Sequence, residues 1–291
     1  MNTCPLTFVF DYEHTNDQTR PMVMREFAAN GCANLVLSDT LISMMLQRPS
    51  FEATLRRDVE EAGITFVDSH APFGPGEDLD VVSEADRPLM LERLRMAMRL
   101  AARFGVRTMT IHTGNGRCAY PGYTPEQYRD AIIRSLRELL PLARELDMII
   151  CIENIWFETN TAECLLDVLA QVNDEHLGIC YDAGHANLMA RDRGFAESAP
   201  IQSFQGIGPV PYDDHILEKL LPHVVNCHLH DNNGQYDQHR LPGQGDVDWP
   251  HIMGLLKRAP RLACVQSEVL PVHVRAPIAT LCTKFKELMA L

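Results

Sequence analysis

Short apolar runs rich in β-branched residues recur along the chain, at 6–11, 34–38, 65–69, 108–112, 149–153, 178–182, 224–230 and 264–269. Their length and composition predict strands. Between them apolar residues fall at helical spacing, over 86–104, 125–145, 162–172 and 251–258, and again over the closing 277–291. Two helix starts carry their own signals. Thr124-Pro125-Glu126-Gln127 offers an N-cap, a proline at N1 and a glutamine at N3. Thr159, Asn160 and Thr161 stand as cap residues ahead of Glu163. Strand–helix alternation needs parallel strands joined by right-handed crossovers. Eight such units in 291 residues predict an α/β chain folded as one closed (β/α)8 TIM barrel domain over 1–291, a fold typically of about 250 residues. The rival, an open doubly wound sheet, brings a Gly-rich turn after its first strand, and none follows Phe8-Val9-Phe10-Asp11. The stretch 191–211, rich in Gly, Ser and Pro, reads as a long loop of the kind that shapes barrel pockets.

Composition narrows the class. With 46% hydrophobic and 22% charged residues the chain is globular rather than disordered. No apolar run nears the roughly 18 residues of a membrane span. The opening Met1-Asn2-Thr3-Cys4-Pro5-Leu6 lacks the basic and apolar regions of a secretory signal. Nine cysteines, scattered from Cys4 to Cys282 without a CxxC pair, fit a reducing cytoplasm. Cys151, Cys180, Cys227 and Cys264 lie in apolar runs and are expected as buried thiols. A net charge of −13 disfavours nucleic acid and anionic membranes as partners.

In a parallel barrel the chemistry sits at the carboxyl ends of the strands. Those ends read Asp68-Ser69-His70, Ile111-His112-Thr113, Ile152-Glu153-Asn154, Asp182-Ala183-Gly184-His185, His228-Leu229-His230-Asp231 and Ser267-Glu268. Any one of them is more often a helix cap or a solvated contact, but six of eight together are not. Alternation along a strand puts Asn226, His228 and His230 on one face, Ile149, Cys151 and Glu153 on another, and Cys180 with Asp182 on a third. Burying so many charges uncompensated is prohibitively costly. A divalent metal neutralises carboxylates and accepts neutral imidazole, and mixed Glu/Asp/His ligation suits Mn, Co, Zn or Mg alike.

Glu153-Asn154, then 178–185, then Cys227-His228-Leu229-His230-Asp231-Asn232, then 239–249 resemble the xylose-isomerase-like TIM barrels. That superfamily includes sugar isomerases and 3-epimerases, inosose dehydratases and type IV apurinic endonucleases. The resemblance implies one metal held by Glu153, Asp182, His228 and Glu268. It also implies Glu153 and Glu268 as the proton-transfer pair, and His185 as a hydrogen-bond donor to a substrate oxygen. His230 is the alternative to His228 as ligand. The endonucleases' three-zinc cluster uses further positions, which match His70, His112, His185, Asp237 and His239. Asp237 and His239 read equally well as an Asx-turn and an exposed loop histidine.

The expected activity is metal-dependent isomerisation or epimerisation of a small sugar or cyclitol, with proton transfer through a metal-stabilised enediolate. A dehydratase or lyase acting on a keto-sugar or cyclitol is the variant within the class. A zinc-dependent apurinic endonuclease is the rival, and a scaffold on a degenerate barrel would have lost a ligand. The endonuclease is disfavoured by a shortage of cations near the site loops, where only Arg117 and Arg240 stand ready for an anion. The expected ligand is therefore an unphosphorylated polyol or keto-sugar. By resemblance the chain pairs into a homodimer or homotetramer. Trp156 and Phe73 either line the pocket or pack in their loops. His14, His176, His215, His223, His251 and His273 lie off the strand ends and read as surface or capping residues.

Overall fold

The computed structural model describes residues 4–291; Met1, Asn2 and Thr3, part of the stretch read above for a leader, lie outside the described residues. Eight parallel strands close on themselves in chain order: β1 (Leu6–Phe8), β2 (Asn34–Leu37), β3 (Thr65–His70), β4 (Thr108–Ile111), β5 (Ile149–Glu153), β6 (Leu177–Asp182), β7 (Val224–Leu229) and β8 (Val265–Ser267). The pairing of β1 with β8, Thr7 opposite Gln266, seals the barrel. Each apolar run therefore forms its strand, and the open sheet is excluded. The first strand is shorter than its apolar run because the Tyr12 N–H donates to the Phe10 carbonyl and turns the chain out of the ladder.

Helices ring the barrel: α1 (Arg20–Ala29), α2 (Asp39–Gln47), α3 (Phe51–Ala62), α4 (Arg87–Arg103), α5 (Pro125–Glu145), α6 (Ala162–Val172), α7 (Ala183–Met189), α8 (Ala199–Phe204), α9 (Ile216–Leu220), α10 (Trp249–Leu256), α11 (Pro271–Val274) and α12 (Ile278–Ala290). α5 starts on a complete capping box between Thr124 and Gln127, and Thr161 caps α6 by accepting the Cys164 N–H. Each such cap contributes about 1 kcal/mol. The expected long loop at 191–211 carries α8. None of the helices among the described residues is long and apolar enough to cross a membrane.

The principal core lies between the strands and the helix ring, where Leu35, Ile150, Ile179 and Leu229 meet Phe27, Leu94, Leu136 and Phe285. Inside the barrel, Cys151, Cys180 and Val225 form a separate small apolar cluster. Gly178 makes room for it, since a Cβ there would lie 2.4 Å from Val225 Cγ2. Above it Asp68 on β3 reaches across to Asn226 on β7. All four cysteines expected in apolar runs are buried. The inner faces thus pass from apolar to polar toward the carboxyl ends of the strands, where the histidine and carboxylate side chains gather.

Candidate metal centre

Glu153, Asp182, His228 and Glu268, from four successive strand ends, bring one ligand atom each within 4.8 Å of the others. His228 Nδ1 stands 3.3 Å from Glu153 Oε1 and 3.1 Å from Glu268 Oε1. Asp182 closes β6 and caps α7, its Oδ1 accepting the His185 N–H at 2.6 Å. The Asn154 side chain clamps the Asp182 backbone from β5, donating to its carbonyl and accepting its N–H, both at 2.9 Å. These local ties fix Asp182 before any packing is counted.

Two further groups flank this one. His70 and His112 approach the far oxygen of Glu153, with Nε2 atoms 3.7 and 3.2 Å from Oε2. On the other side stand His185, His230, Asp237 and His239. Asp237 and His239 ride on a loop anchored by buried Asp231. Its carboxylate accepts the N–H groups of Asn232, Gly243 and Val247 and the Trp249 indole N–H at 2.8–3.2 Å. The reading of Asp237 and His239 as a free loop turn gives way to this anchoring. The structure thus brings together His70, His112, Glu153, Asp182, His185, His228, His230, Asp237, His239 and Glu268.

The donor set fits a cation. His70, His185 and His239 each direct Nδ1 at a backbone carbonyl, of Ala71, Asn154 and Glu268, at 2.7–3.0 Å. That makes Nδ1 the protonated nitrogen and leaves Nε2 a lone pair pointing at carboxylates, the arrangement that orients metal-bound histidines. Glu153 Oε2, Asp182 Oδ2, Asp237 Oδ1 and both nitrogens of His228 and His230 are buried without a hydrogen-bond partner. Lone pairs facing lone pairs repel unless a proton or a metal stands between them.

Protonation equilibria point the same way. Burial pushes the Glu153 carboxyl up, but His228 and the neighbouring imidazoles of His112 and His185 hold it well below the usual range. Glu268 is likewise held low against its burial by His228 and His239. Burial lowers His185, yet Asp182 and Asp237 lift it well above ordinary imidazole. His239 is pushed up to about 9, Asp237 outweighing burial. Protons and a cation compete for these same sites.

The group opens onto a cavity of about 510 Å³ floored by His70, His112, Glu153, Gln266 and Glu268. Phe10, Tyr12, Phe73, Trp156 and Phe157 supply aromatic wall, and no lysine or arginine among the described residues lines it. Phe73 leans on His112 at 4.6 Å between ring centroids and Trp156 meets His185 edge-on at 4.9 Å. Arg240 departs from expectation. Its backbone pairs with Asp231 and its guanidinium donates to the Gln244 carbonyl, so it faces away from the cavity, which Arg117 does not line either. His14 and His273, read as surface residues, reach the cavity rim. Sequence reasoning also missed Ser38, Asp39 and Asp78 on the wall. They lie on or beyond β2 and β3, whose apolar pattern stops short of them.

The family model for the xylose isomerase-like TIM barrel matches residues 34–263. Over 201 residues the chain is 28% identical to an uncharacterized protein of Methanocaldococcus jannaschii, covering 65% of this chain and 59% of that protein. A probable endonuclease 4 of Methanoculleus marisnigri is 26% identical over 211 residues, 68% of each chain. Among solved structures, a D-tagatose 3-epimerase-like protein superposes with a TM-score of 0.72 at 21% identity, covering 98% of this chain and 97% of that one. IolI protein, solved with a zinc atom, gives a TM-score of 0.69 at 16% identity over 98% and 96% of the two chains. At these identities the superpositions establish the shared fold. With the family model spanning most of the sequence, the chain belongs to the xylose isomerase-like TIM barrel family.

Proposed function

We propose that the chain is a divalent-metal-dependent isomerase or epimerase of a small, uncharged sugar or cyclitol bearing a carbonyl. One observation carries this reading. The buried Glu153/Asp182/His228/Glu268 set underlies a cavity sized for a small molecule and walled by aromatic and acidic side chains without a lysine or arginine. Aromatic faces suit the C–H faces of a sugar ring, and a wall without lysine or arginine gives a phosphate no guanidinium or ammonium partner. The names of the structural neighbours, a D-tagatose 3-epimerase-like protein among them, support the substrate class.

Glu153, Asp182, His228 and Glu268 would hold the metal. A bound divalent cation supplies Lewis acidity toward a carbonyl and its neighbouring hydroxyl. The rest falls to the chain. Glu268 is the freer carboxylate: its Oε2 lies 3.9 Å from His239 Nδ1 and 4.0 Å from His230 Nε2, and it lines the cavity. It removes a proton from the carbon next to the carbonyl. Glu153, reached from the opposite side of the floor, returns one to the other face or to the neighbouring carbon. Such paired acid–base work contributes about 10²–10⁴-fold. Trp156 and Phe73 hold the ring and keep water from the exchanging carbon.

The two flanking groups favour a second reading, a zinc-dependent apurinic endonuclease with three cations, as does the likeness to a probable endonuclease 4. The net charge of −13 and a wall without lysine or arginine oppose it. One experiment separates the two. Metal-loaded protein is incubated with a panel of ketoses and inososes in D2O and, separately, with an abasic-site duplex. Deuterium appearing next to a carbonyl, with the duplex intact, supports the isomerase. Strand cleavage without deuterium uptake would replace it by the endonuclease.

A further inference from the structure

We propose that Gln266 is a specificity-determining residue, whose carboxamide binds a substrate hydroxyl at the floor of the cavity. This rests on the function proposed above and sharpens it, because it requires a free hydroxyl at one position of the substrate. Alternation puts Gln266 on the same inner face as Glu268, one strand-step deeper, and both line the cavity. Its in-register neighbours are Thr7 on β1 and His228 on β7.

Gln266 is 2% exposed, and its Oε1 has no hydrogen-bond partner. A buried amide oxygen without a donor is costly, and its surroundings supply none. Val9 and Val36, which share the cavity lining, are apolar, and neither ring nitrogen of His228 bonds it. Two other inner-face oxygens outside the metal-centre groups, Thr7 Oγ1 and Asn226 Oδ1, are also buried without a partner. Neither residue lines the cavity, and Asn226 already donates to Asp68 and Thr110 at 2.8 and 3.1 Å. Of these three, Gln266 is the one that opens to the space a substrate enters. An amide presents an acceptor beside a donor, and a hydroxyl is both donor and acceptor, so the two match whichever way the amide is turned. A carbonyl, ether or phosphate oxygen only accepts and leaves Oε1 unpaired. A substrate lacking the hydroxyl also leaves Oε1 unpaired, now sealed from water by the ligand itself, and is therefore rejected.

The test is a binding comparison that needs no turnover. Metal-loaded wild type is titrated with D-tagatose, D-fructose and scyllo-inosose, then with singly deoxygenated analogues of the tightest binder. Calorimetry reads the affinity, as does the fluorescence of Trp156, the one of the two tryptophans that lines the cavity. One analogue is expected to bind at least about tenfold more weakly than its parent. Gln266→Met, similar in length but without the hydrogen-bonding amide, should bind the parent about tenfold more weakly and that one analogue within about twofold of the parent, with metal uptake as in wild type. Gln266→Glu, which keeps an acceptor oxygen at the same reach, should retain the preference. Circular dichroism checks that each variant is folded. A wild type that binds every analogue within about twofold of the parent overturns the proposal. So does a folded, metal-loaded Gln266→Met protein that keeps the wild-type preference, or one that weakens parent and analogues alike, as a purely structural amide would. A wild type that binds none of the parent compounds overturns the function proposed above, and this inference with it.

Discussion

Asp68 and Glu153 are both buried carboxylates on the inner face of the barrel, and their surroundings are opposite. Asp68 is met by donors: Thr108 Oγ1 at 2.6 Å, the Ser69 N–H at 2.9 Å and Asn226 Nδ2 at 2.8 Å. Glu153 is met by the nitrogens of four histidines, three of which already use or face other acceptors, and its Oε2 has no hydrogen bond. Burial is therefore common to both and decides nothing. What separates the two is that the neighbours of Glu153 are groups able to ligate a cation, whereas those of Asp68 are hydrogen-bond donors. On the proposed function Asp68 serves the barrel and Glu153 the metal.

The comparison breaks first at Glu153. Glu153→Gln should lower kcat by about 10³-fold or more on any substrate the deuterium assay finds, since the proposed function gives this residue both metal ligation and proton exchange. Steady-state kinetics at saturating metal reads this. Asp68→Asn should act the other way, costing about 1–3 kcal/mol of stability by leaving Thr108 or Asn226 mismatched, with kcat within about threefold of wild type. Urea unfolding and kinetics on one preparation would show the two effects apart. If Asp68→Asn abolished cation binding, the division between the two carboxylates would fail.

Asp80 sharpens the point outside the site. It accepts the Gly116 N–H at 2.8 Å and ties the loop after β3 to the loop after β4. Burial, only partly offset by that hydrogen bond, pushes its carboxyl up to about 7. A folded value above the unfolded one means the native state binds more protons between about pH 4 and 7, so stability falls as pH rises through that window. Asp80→Asn should remove roughly 1–2 kcal/mol of that fall, read from urea midpoints at pH 5 and 8. An identical pH profile in the variant would contradict the assignment. The smallest effect is expected at Arg240, whose guanidinium serves the Gln244 carbonyl. Arg240→Ala should change kcat/KM less than about twofold, and a larger loss would place the side chain at the substrate.

The sequence made the barrel legible because each inner strand is a short β-branched run, and made the gathering of Glu153, Asp182, His228 and Glu268 legible because they end those runs. His228 and Glu153 could be assigned a face from alternation alone. The wall of the cavity could not. Phe10, Tyr12, Ser38 and Asp39 come from loops whose direction depends on a turn at Phe10–Tyr12 and on the start of α2, neither of which has a ligand-like signature. Arg240 misled for a related reason, since the backbone bridge to Asp231 turns its side chain out while its neighbour His239 turns in. His230 shares the His228 face by alternation, but the room for its ring is left by Gly184, a tertiary fact that no spacing encodes.

The claim on which the rest depends is that Glu153 and its neighbours hold a divalent cation. Native mass spectrometry of stripped protein reloaded with Mn²⁺, Co²⁺ or Zn²⁺ tests it directly. Wild type should gain the mass of at least one cation that survives exchange into metal-free buffer, and Glu153→Gln should lose it. No retained cation in wild type, or equal retention by a folded Glu153→Gln protein, would contradict the account.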